Sequence, residues 1–222
     1  MNIFWHGHSC FQILAAGNKA EQTSILIDPF SEEIGLKFPK LEADIVLISH
    51  DHYDHNNIKG IGASRSGRPY FLINGPGEYE IKNVFIQGIQ SWHDQSLGKE
   101  DGENTIYTLE AEDLKLCHLG DLGQRELTEE QLDRIGQVDI LMIPIGGTYT
   151  ISAKEAIKIM SQLEPKITIP MHYQLPKLKI KLDNLDKFLK LLGIKSIEPL
   201  NKLSIKKKDL SPEEAKIVVL RP

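Results

Sequence analysis

The chain has 222 residues, 41% hydrophobic and 26% charged, with a formal charge of −5, a balance that excludes a disordered or collagen-like polymer and argues against a general nucleic-acid binder. No run approaches the roughly 18 apolar residues of a membrane span, and Cys10 and Cys117, the two cysteines, supply no disulfide framework. The first residues, Met1-Asn2-Ile3-Phe4-Trp5-His6-Gly7-His8, carry neither the basic nor the apolar stretch of a secretion signal, so one cytoplasmic domain over residues 1–222 is the expectation.

In chain order, short apolar runs at 2–5, 10–14, 23–27 and 45–48, each followed by Gly, Asn, Pro or acidic residues, predict successive strands. Runs at 70–73, 84–89, 105–110 and 114–118 continue the pattern, and Gly75-Pro76-Gly77 introduces an edge-like strand through Glu78-Tyr79-Glu80-Ile81. Thr128-Glu129-Glu130-Gln131 offers a capping box for a helix over 128–135. A strand at 138–144, a helix at 152–163 and a strand at 166–170 come next. Leucines at helical intervals predict a helix over 182–192, stopped by Gly193, and 199–205 and 215–220 read as closing strands. The Lys206-Lys207-Lys208 triplet reads as a solvated turn. Short strands first, then strands alternating with helices, predict an α+β arrangement of two mixed sheets flanked by helices, an αββα sandwich.

Eight histidines in 222 residues put about 0.2 in an average six-residue window (6 × 8/222), yet residues 50–55 hold three, with two aspartates. The apolar run Ile45-Val46-Leu47-Ile48 empties into Ser49-His50-Asp51-His52-Tyr53-Asp54-His55. A loop at a strand end lets such side chains converge, and imidazole nitrogen with carboxylate oxygen is a zinc-type donor set. Ligand pairs two residues apart and then adjacent are more than one tetrahedral ion takes from one loop, which predicts two ions completed from distant strands.

His50-x-His52-x-Asp54-His55 after a strand resembles the signature of the metallo-β-lactamase fold hydrolases. The other family motifs follow in order: His93 in Ser91-Trp92-His93-Asp94, Asp121 in His118-Leu119-Gly120-Asp121, and His172 in Ile169-Pro170-Met171-His172. The resemblance implies one metal on His50, His52 and His93, a second on Asp54, His55 and His172, and Asp121 bridging them. Zn²⁺ is the first expectation, with Mn²⁺, Fe and Ni²⁺ accepting the same donors. His118 rivals His93 as third ligand of the first site; the family pattern puts it just behind the site instead. The Gly-His-Ser string at residues 7–9 is similar to family members that carry it beside the metal cavity, which gives His8 a pocket role and His6 a weaker one. Asp28 either supports the metal loop or simply opens a turn before Pro29. The Gly77-Glu78-Tyr79-Glu80 string is similar to one in hydrolases close to the ascorbate-6-phosphate lactonases, which makes Glu78 or Tyr79 a pocket candidate, with plain hairpin chemistry as the alternative. Gly146-Gly147-Thr148-Tyr149 is read first as a loop into the next helix, with Ser152 as its cap, and otherwise as backbone N–H groups that meet an anionic group.

The expected chemistry is hydrolysis, with two cations sharing a water and lowering its pKa, and with Asp54 orienting the nucleophile and carrying its proton. Only 51 positions separate Asp121 from His172 (172 − 121), and 50 residues follow His172 (222 − 172); these lengths leave no room for a large inserted nuclease domain. The expected substrate is a small ester, lactone or phosphoester, with no membrane or nucleic-acid partner and a homo-oligomer left open. The alternatives are a phosphodiesterase or nuclease of the same fold and a non-catalytic metal-binding regulator.

Overall fold

The computed structural model describes residues 1–16, 22–63, 67–211 and 214–222. Strands β1 (Asn2–Trp5), β2 (Phe11–Ala16), β3 (Gln22–Ile27), β4 (Leu41–Glu42), β5 (Ile45–Leu47), β6 (Ile61–Gly62) and β7 (Phe71–Ile73) come first. Four strands follow, β8 (Gly77–Ile81), β9 (Val84–Trp92), β10 (Glu103–Ala111) and β11 (Leu114–His118). Helices and strands then alternate as α1 (Glu129–Ile135), β12 (Ile140–Pro144), α2 (Ala153–Leu163), β13 (Ile167–Met171) and α3 (Leu185–Leu191), before β14 (Leu203–Ser204) and β15 (Lys216–Ile217). Among the described residues they form a six-stranded sheet in the order β14-β1-β2-β3-β5-β7, a seven-stranded sheet in the order β15-β13-β12-β11-β10-β9-β8, and a separate β4-β6 pair.

Strand alternation divides the first sheet between two cores. Ile25, Ile27, Ile45 and Leu47 join the larger core, which also takes in Ile86, Ile106, Leu116 and Ile169 of the second sheet; Leu26 and Val46, between them in sequence, enter a smaller one. Each such fully buried side chain contributes roughly 1.5–3 kcal/mol. Helix α2 presents Ala153, Ala156, Ile159 and Leu163 to the larger core, and Phe188 and Leu189 of α3 enter it too. The cover over the smaller core is made of Phe30, Ile34, Phe38 and Leu178, carried by a 3-10 turn at Glu32–Ile34 and irregular chain. The sandwich is therefore helical on one side and mostly loop on the other.

Local signals act where they were read. Thr128 and Ser152 both form capping boxes, with Gln131 and Glu155 as the reciprocal partners. The third helix starts later than its leucines suggest, because the Asn184 carboxamide accepts the Lys187 N–H at 3.0 Å while the Leu182 and Asp183 N–H groups donate to Gln174 and Gly146. The closing strands shrink to two residues each, since Leu200, Val219 and Arg221 spend their backbone groups on one another. Lys207 ties down to Asp139 at 2.8 Å and is more than a solvated turn residue. None of the described helices is long and apolar enough to cross a membrane.

Strands β9, β11 and β13 run in one direction, because β10 is antiparallel to both β9 and β11 while β11, β12 and β13 are parallel. Their C-terminal ends therefore open on one edge of the sandwich. The second sheet also grips the end of β5: the Thr105 N–H donates to the Ser49 carbonyl at 2.8 Å, and the buried Tyr107 hydroxyl donates to the Ile48 carbonyl at 2.9 Å while accepting the Gly75 N–H at 3.0 Å. Replacing Tyr107 by Phe leaves both backbone groups unpaired in an apolar setting. We expect a loss of about 1–3 kcal/mol in urea unfolding; an unchanged midpoint would show that water takes over the hydroxyl's role.

Candidate metal centre

The loop after β5 is organised from Asp28, one residue beyond β3 and at φ 48°. Its carboxylate accepts the Ser49 N–H at 2.8 Å, the Ser49 hydroxyl at 2.7 Å and the His55 Nδ1–H at 3.0 Å. Burial pushes the Asp28 carboxyl up, but the His55 hydrogen bond and neighbouring imidazoles outweigh it and hold the group ionised. Ser49 Oγ in turn accepts the His50 Nδ1–H at 2.9 Å. Both rings are thereby held with Nδ1 protonated, and each Nε2 is the nitrogen turned away from Asp28 and Ser49.

Two groups of ligand-type atoms converge above this base. His50, His52 and His93 form one, and His8, Asp54, His55, Asp121 and His172 form the other, with the atoms of each group within 4.8 Å of one another. Asp121 Oδ2 lies 3.1 Å from His55 Nε2, 3.1 Å from His172 Nε2 and 3.6 Å from His93 Nε2, so one carboxylate oxygen faces both groups. Asp121 itself is held by the Ser9 hydroxyl at 3.2 Å and by its own N–H on the Asn104 carboxamide oxygen at 2.9 Å. Its approach requires Gly120, at φ 57°, where a Cβ would stand 2.3 Å from that same Asn104 oxygen. Gly146 gives the same clearance behind His172, whose carbonyl would lie 2.2 Å from a Cβ there.

The chemistry of the donors fits a divalent cation. His50 Nε2 is buried and has no hydrogen-bond partner, a costly state for a lone pair unless a cation takes it up. Burial pushes the His55 pKa down, but Asp121 and Asp28 outweigh it and draw a proton onto the ring, a proton that a divalent cation would displace. Burial lowers the pKa of His50 and His52, and takes His8 down to about 4, with His172 adding to the effect. Neutral imidazoles are the form that coordinates. Asp54 and Asp121 remain carboxylates: burial opposes their ionisation, but the imidazoles around them prevail.

The structure brings His50, His52, His93, Asp54, His55, Asp121 and His172 together, and puts other candidates in different places. His118 stands outside both groups, with Nε2–H donating to the Ser9 carbonyl at 2.9 Å and Nδ1 accepting the Gly120 N–H at 3.1 Å. His8 comes closer than a pocket role implies. It sits at φ 53° in the β1–β2 turn, its Nε2 is 3.1 Å from Asp54 Oδ2, and its carbonyl accepts the His172 N–H at 3.0 Å. The available signal was Gly7 beside His8 in a tight turn, but only folding sets that turn against Asp54. His6 belongs to neither group. Glu78 requires a correction: it lies on edge strand β8 opposite Gln87, which donates to it at 3.3 Å. Gln87 is six residues before His93 on β9, or about 20 Å along an extended strand, so Glu78 is remote from the centre. Asp94, in contrast, shapes the loop beside His93. Its carboxylate accepts the N–H groups of Ser96, Gly98, Glu100 and Asp101, and these bonds hold its pKa at about 2 against the upward push of burial.

A cavity of about 830 Å³ opens over both groups. His52, Asp54, His93, Asp121 and His172 face into it from below, and Tyr53, Tyr149, Lys179 and Lys181 stand around it. The 146–149 segment leads into the helix capped by Ser152, as read from sequence, and also sends Thr148 and Tyr149 to this cavity.

Residues 2–172 match the family model described as a beta-lactamase superfamily domain. A UPF0173 metal-dependent hydrolase of Thermococcus onnurineus is 33% identical over 75% of this chain and 82% of its own. Its counterpart in Thermoplasma volcanium is 32% identical over 78% and 83%. A crystal structure from Thermotoga maritima, described as a Zn-dependent hydrolase of the metallo-β-lactamase superfamily, is 37% identical with a TM-score of 0.77, covering 99% of this chain and 97% of that one. Taken with the converging histidines and aspartates, these likenesses establish that the chain belongs to the metallo-β-lactamase superfamily, as one of its metal-dependent hydrolases.

Proposed function

We propose that the chain works with two divalent cations, Zn²⁺ foremost and Mn²⁺, Fe or Ni²⁺ as alternatives, and hydrolyses a small ester, lactone or phosphoester in the cytoplasm. His50, His52 and His93 would hold one cation, and Asp54, His55 and His172 the other, with Asp121 shared. The observation that carries this reading is the position of Asp121 Oδ2, within 3.1 Å of His55 and His172 and 3.6 Å of His93. When bound, such a pair of ions would acidify a water and polarise the bond under attack.

The chain's own groups supply the rest. Asp28 and Ser49 keep His55 and His50 in the tautomers that present Nε2. His8 Nε2–H donates to Asp54 Oδ2 at 3.1 Å and fixes that carboxylate. Asp54 faces the cavity in ionised form, positioned to take the proton of an attacking water and pass it to the leaving group. His118 keeps Ser9 in place, and Ser9 steadies Asp121.

Elemental analysis of protein loaded with Zn²⁺ or Mn²⁺ is expected to give about two ions per chain, as a shared carboxylate requires. Asp121→Ala should fall to about one or fewer, whereas His118→Ala should keep both. One ion in the wild type would retire the two-metal reading. For the proton, Asp54→Asn should lower kcat by roughly 10²–10⁴-fold, measured per mole of metal-loaded enzyme; full activity in that variant would remove Asp54 from the proton's path.

A further inference from the structure

The segment after His172 has a feature that the metal chemistry does not use. Lys177-Leu178-Lys179-Ile180-Lys181-Leu182 alternates basic and apolar residues in irregular chain, with a turn at Lys177 (φ 72°) and a bend at Ile180. Leu178 is buried in the smaller core, with Ile180 and Leu182 packed against it, while Lys179 and Lys181, together with part of Ile180, line the cavity above the metal-binding groups. The strap is pinned along its length. The Lys179 N–H donates to the Ile34 carbonyl at 2.8 Å, the Leu182 N–H to Gln174 Oε1 at 3.0 Å, and the Asp183 N–H to the Gly146 carbonyl at 2.8 Å. Gly35 permits this seating, since a Cβ there would stand 2.2 Å from the Lys177 carbonyl oxygen.

The two ammonium groups are therefore carried on a fixed backbone, yet neither is neutralised. Lys158, Lys187 and Lys207 each pair with a carboxylate; among the described residues, Lys179 and Lys181 do not. Glu33 and Asp101 face the same cavity without pairing to them. Four carboxylates, of Glu33, Asp54, Asp101 and Asp121, face the cavity with the two lysines, so a surplus of positive charge would come from the floor, where two dications would outweigh the carboxylates that hold them. Tyr53 and Tyr149, each 52% exposed, complete a rim that offers flat surface and hydroxyl groups beside the lysines. A cavity with this charge distribution draws an anion and rewards one that reaches both floor and wall.

We propose that Lys179 and Lys181 form an anion-binding subsite, and that the substrate carries a carboxylate or phosphate group remote from the bond that is hydrolysed. The inference rests on the metal-dependent hydrolase reading for its second anchor, the metal floor. Its test reads binding, so it does not depend on having found the substrate.

Calorimetric affinities of the metal-loaded protein for dicarboxylates from malonate to adipate are compared with those for the matching monocarboxylates and phosphonocarboxylates. One dicarboxylate length should bind about tenfold or more tightly than its monocarboxylate, the increment expected of a charge-assisted contact, and Lys179→Gln with Lys181→Gln should abolish that preference. Lys177→Gln, on the same strap but outside the cavity, should retain it. A larger gain for the phosphonocarboxylates would identify phosphate as the remote group, and a larger gain for the dicarboxylates would identify carboxylate. Equal affinities in the wild type, binding of none of these anions, or a preference that survives both substitutions would overturn the subsite. Failure of the hydrolase reading is recognised separately, as protein that retains no metal in the same samples.

Discussion

The site depends on one buried carboxylate. Asp28 is inaccessible to solvent, and a charge in that position is tolerable only if its lone pairs are filled. Ser49, through both N–H and hydroxyl, and His55, through Nδ1–H, fill them. In satisfying the aspartate these groups give up their own freedom: the metal loop is anchored at its beginning and end, and His55 takes one tautomer. The Ser49 hydroxyl extends the same constraint to His50. Asp28 does not line the cavity, yet it determines which nitrogen atoms face the centre.

The second requirement is agreement between two sheets. The first sheet delivers Asp28, the metal loop and the His8 turn; the second delivers His93, Asp121 and His172 from the ends of three co-directional strands. Neither sheet holds a complete donor set. Their edges are kept in register by hydrogen bonds that cross between them, Thr105 to Ser49, Tyr107 to Ile48, His118 to Ser9 and His172 to His8. The large apolar core beneath supplies most of the stability, and the polar links set the position to the few tenths of an ångström that coordination demands.

The cavity has a division of labour between floor and rim. The floor is built from strand ends and buried imidazoles, which are rigid and chemically committed. The rim comes from connections, namely the metal loop at Tyr53, the 146–149 loop and the strap that follows His172. Superfamily membership carries the floor with it, whereas the substrate is chosen by connections that are free to vary. In this chain the cavity is lined by the basic Lys179 and Lys181 and the aromatic Tyr53 and Tyr149, with the acidic Glu33 and Asp101 beside them.

Much of this was legible in the order of residues. The spacing in His50-x-His52-x-Asp54-His55 is a local property, because all four side chains share one short loop, and the capping boxes at Thr128 and Ser152 act within a single helical turn. The later members, His93, Asp121 and His172, were found by their motifs at strand ends. What remained hidden was decided at long range. His8 belongs with Asp54 because a turn 46 residues earlier folds over the metal loop, and nothing in Gly7-His8-Ser9 encodes that distance. Glu78 shares a string with similar hydrolases but pairs with Gln87 on an edge strand, and strand register, not neighbouring sequence, carried it away from the centre. The sequence by itself determined the donor types, their local spacing and the alternation that builds two sheets. Only the tertiary structure decided which nitrogen faces inward, that His8 reaches Asp54 and which lysines overlook the centre, because each of those depends on contacts between segments that chain connectivity leaves far apart.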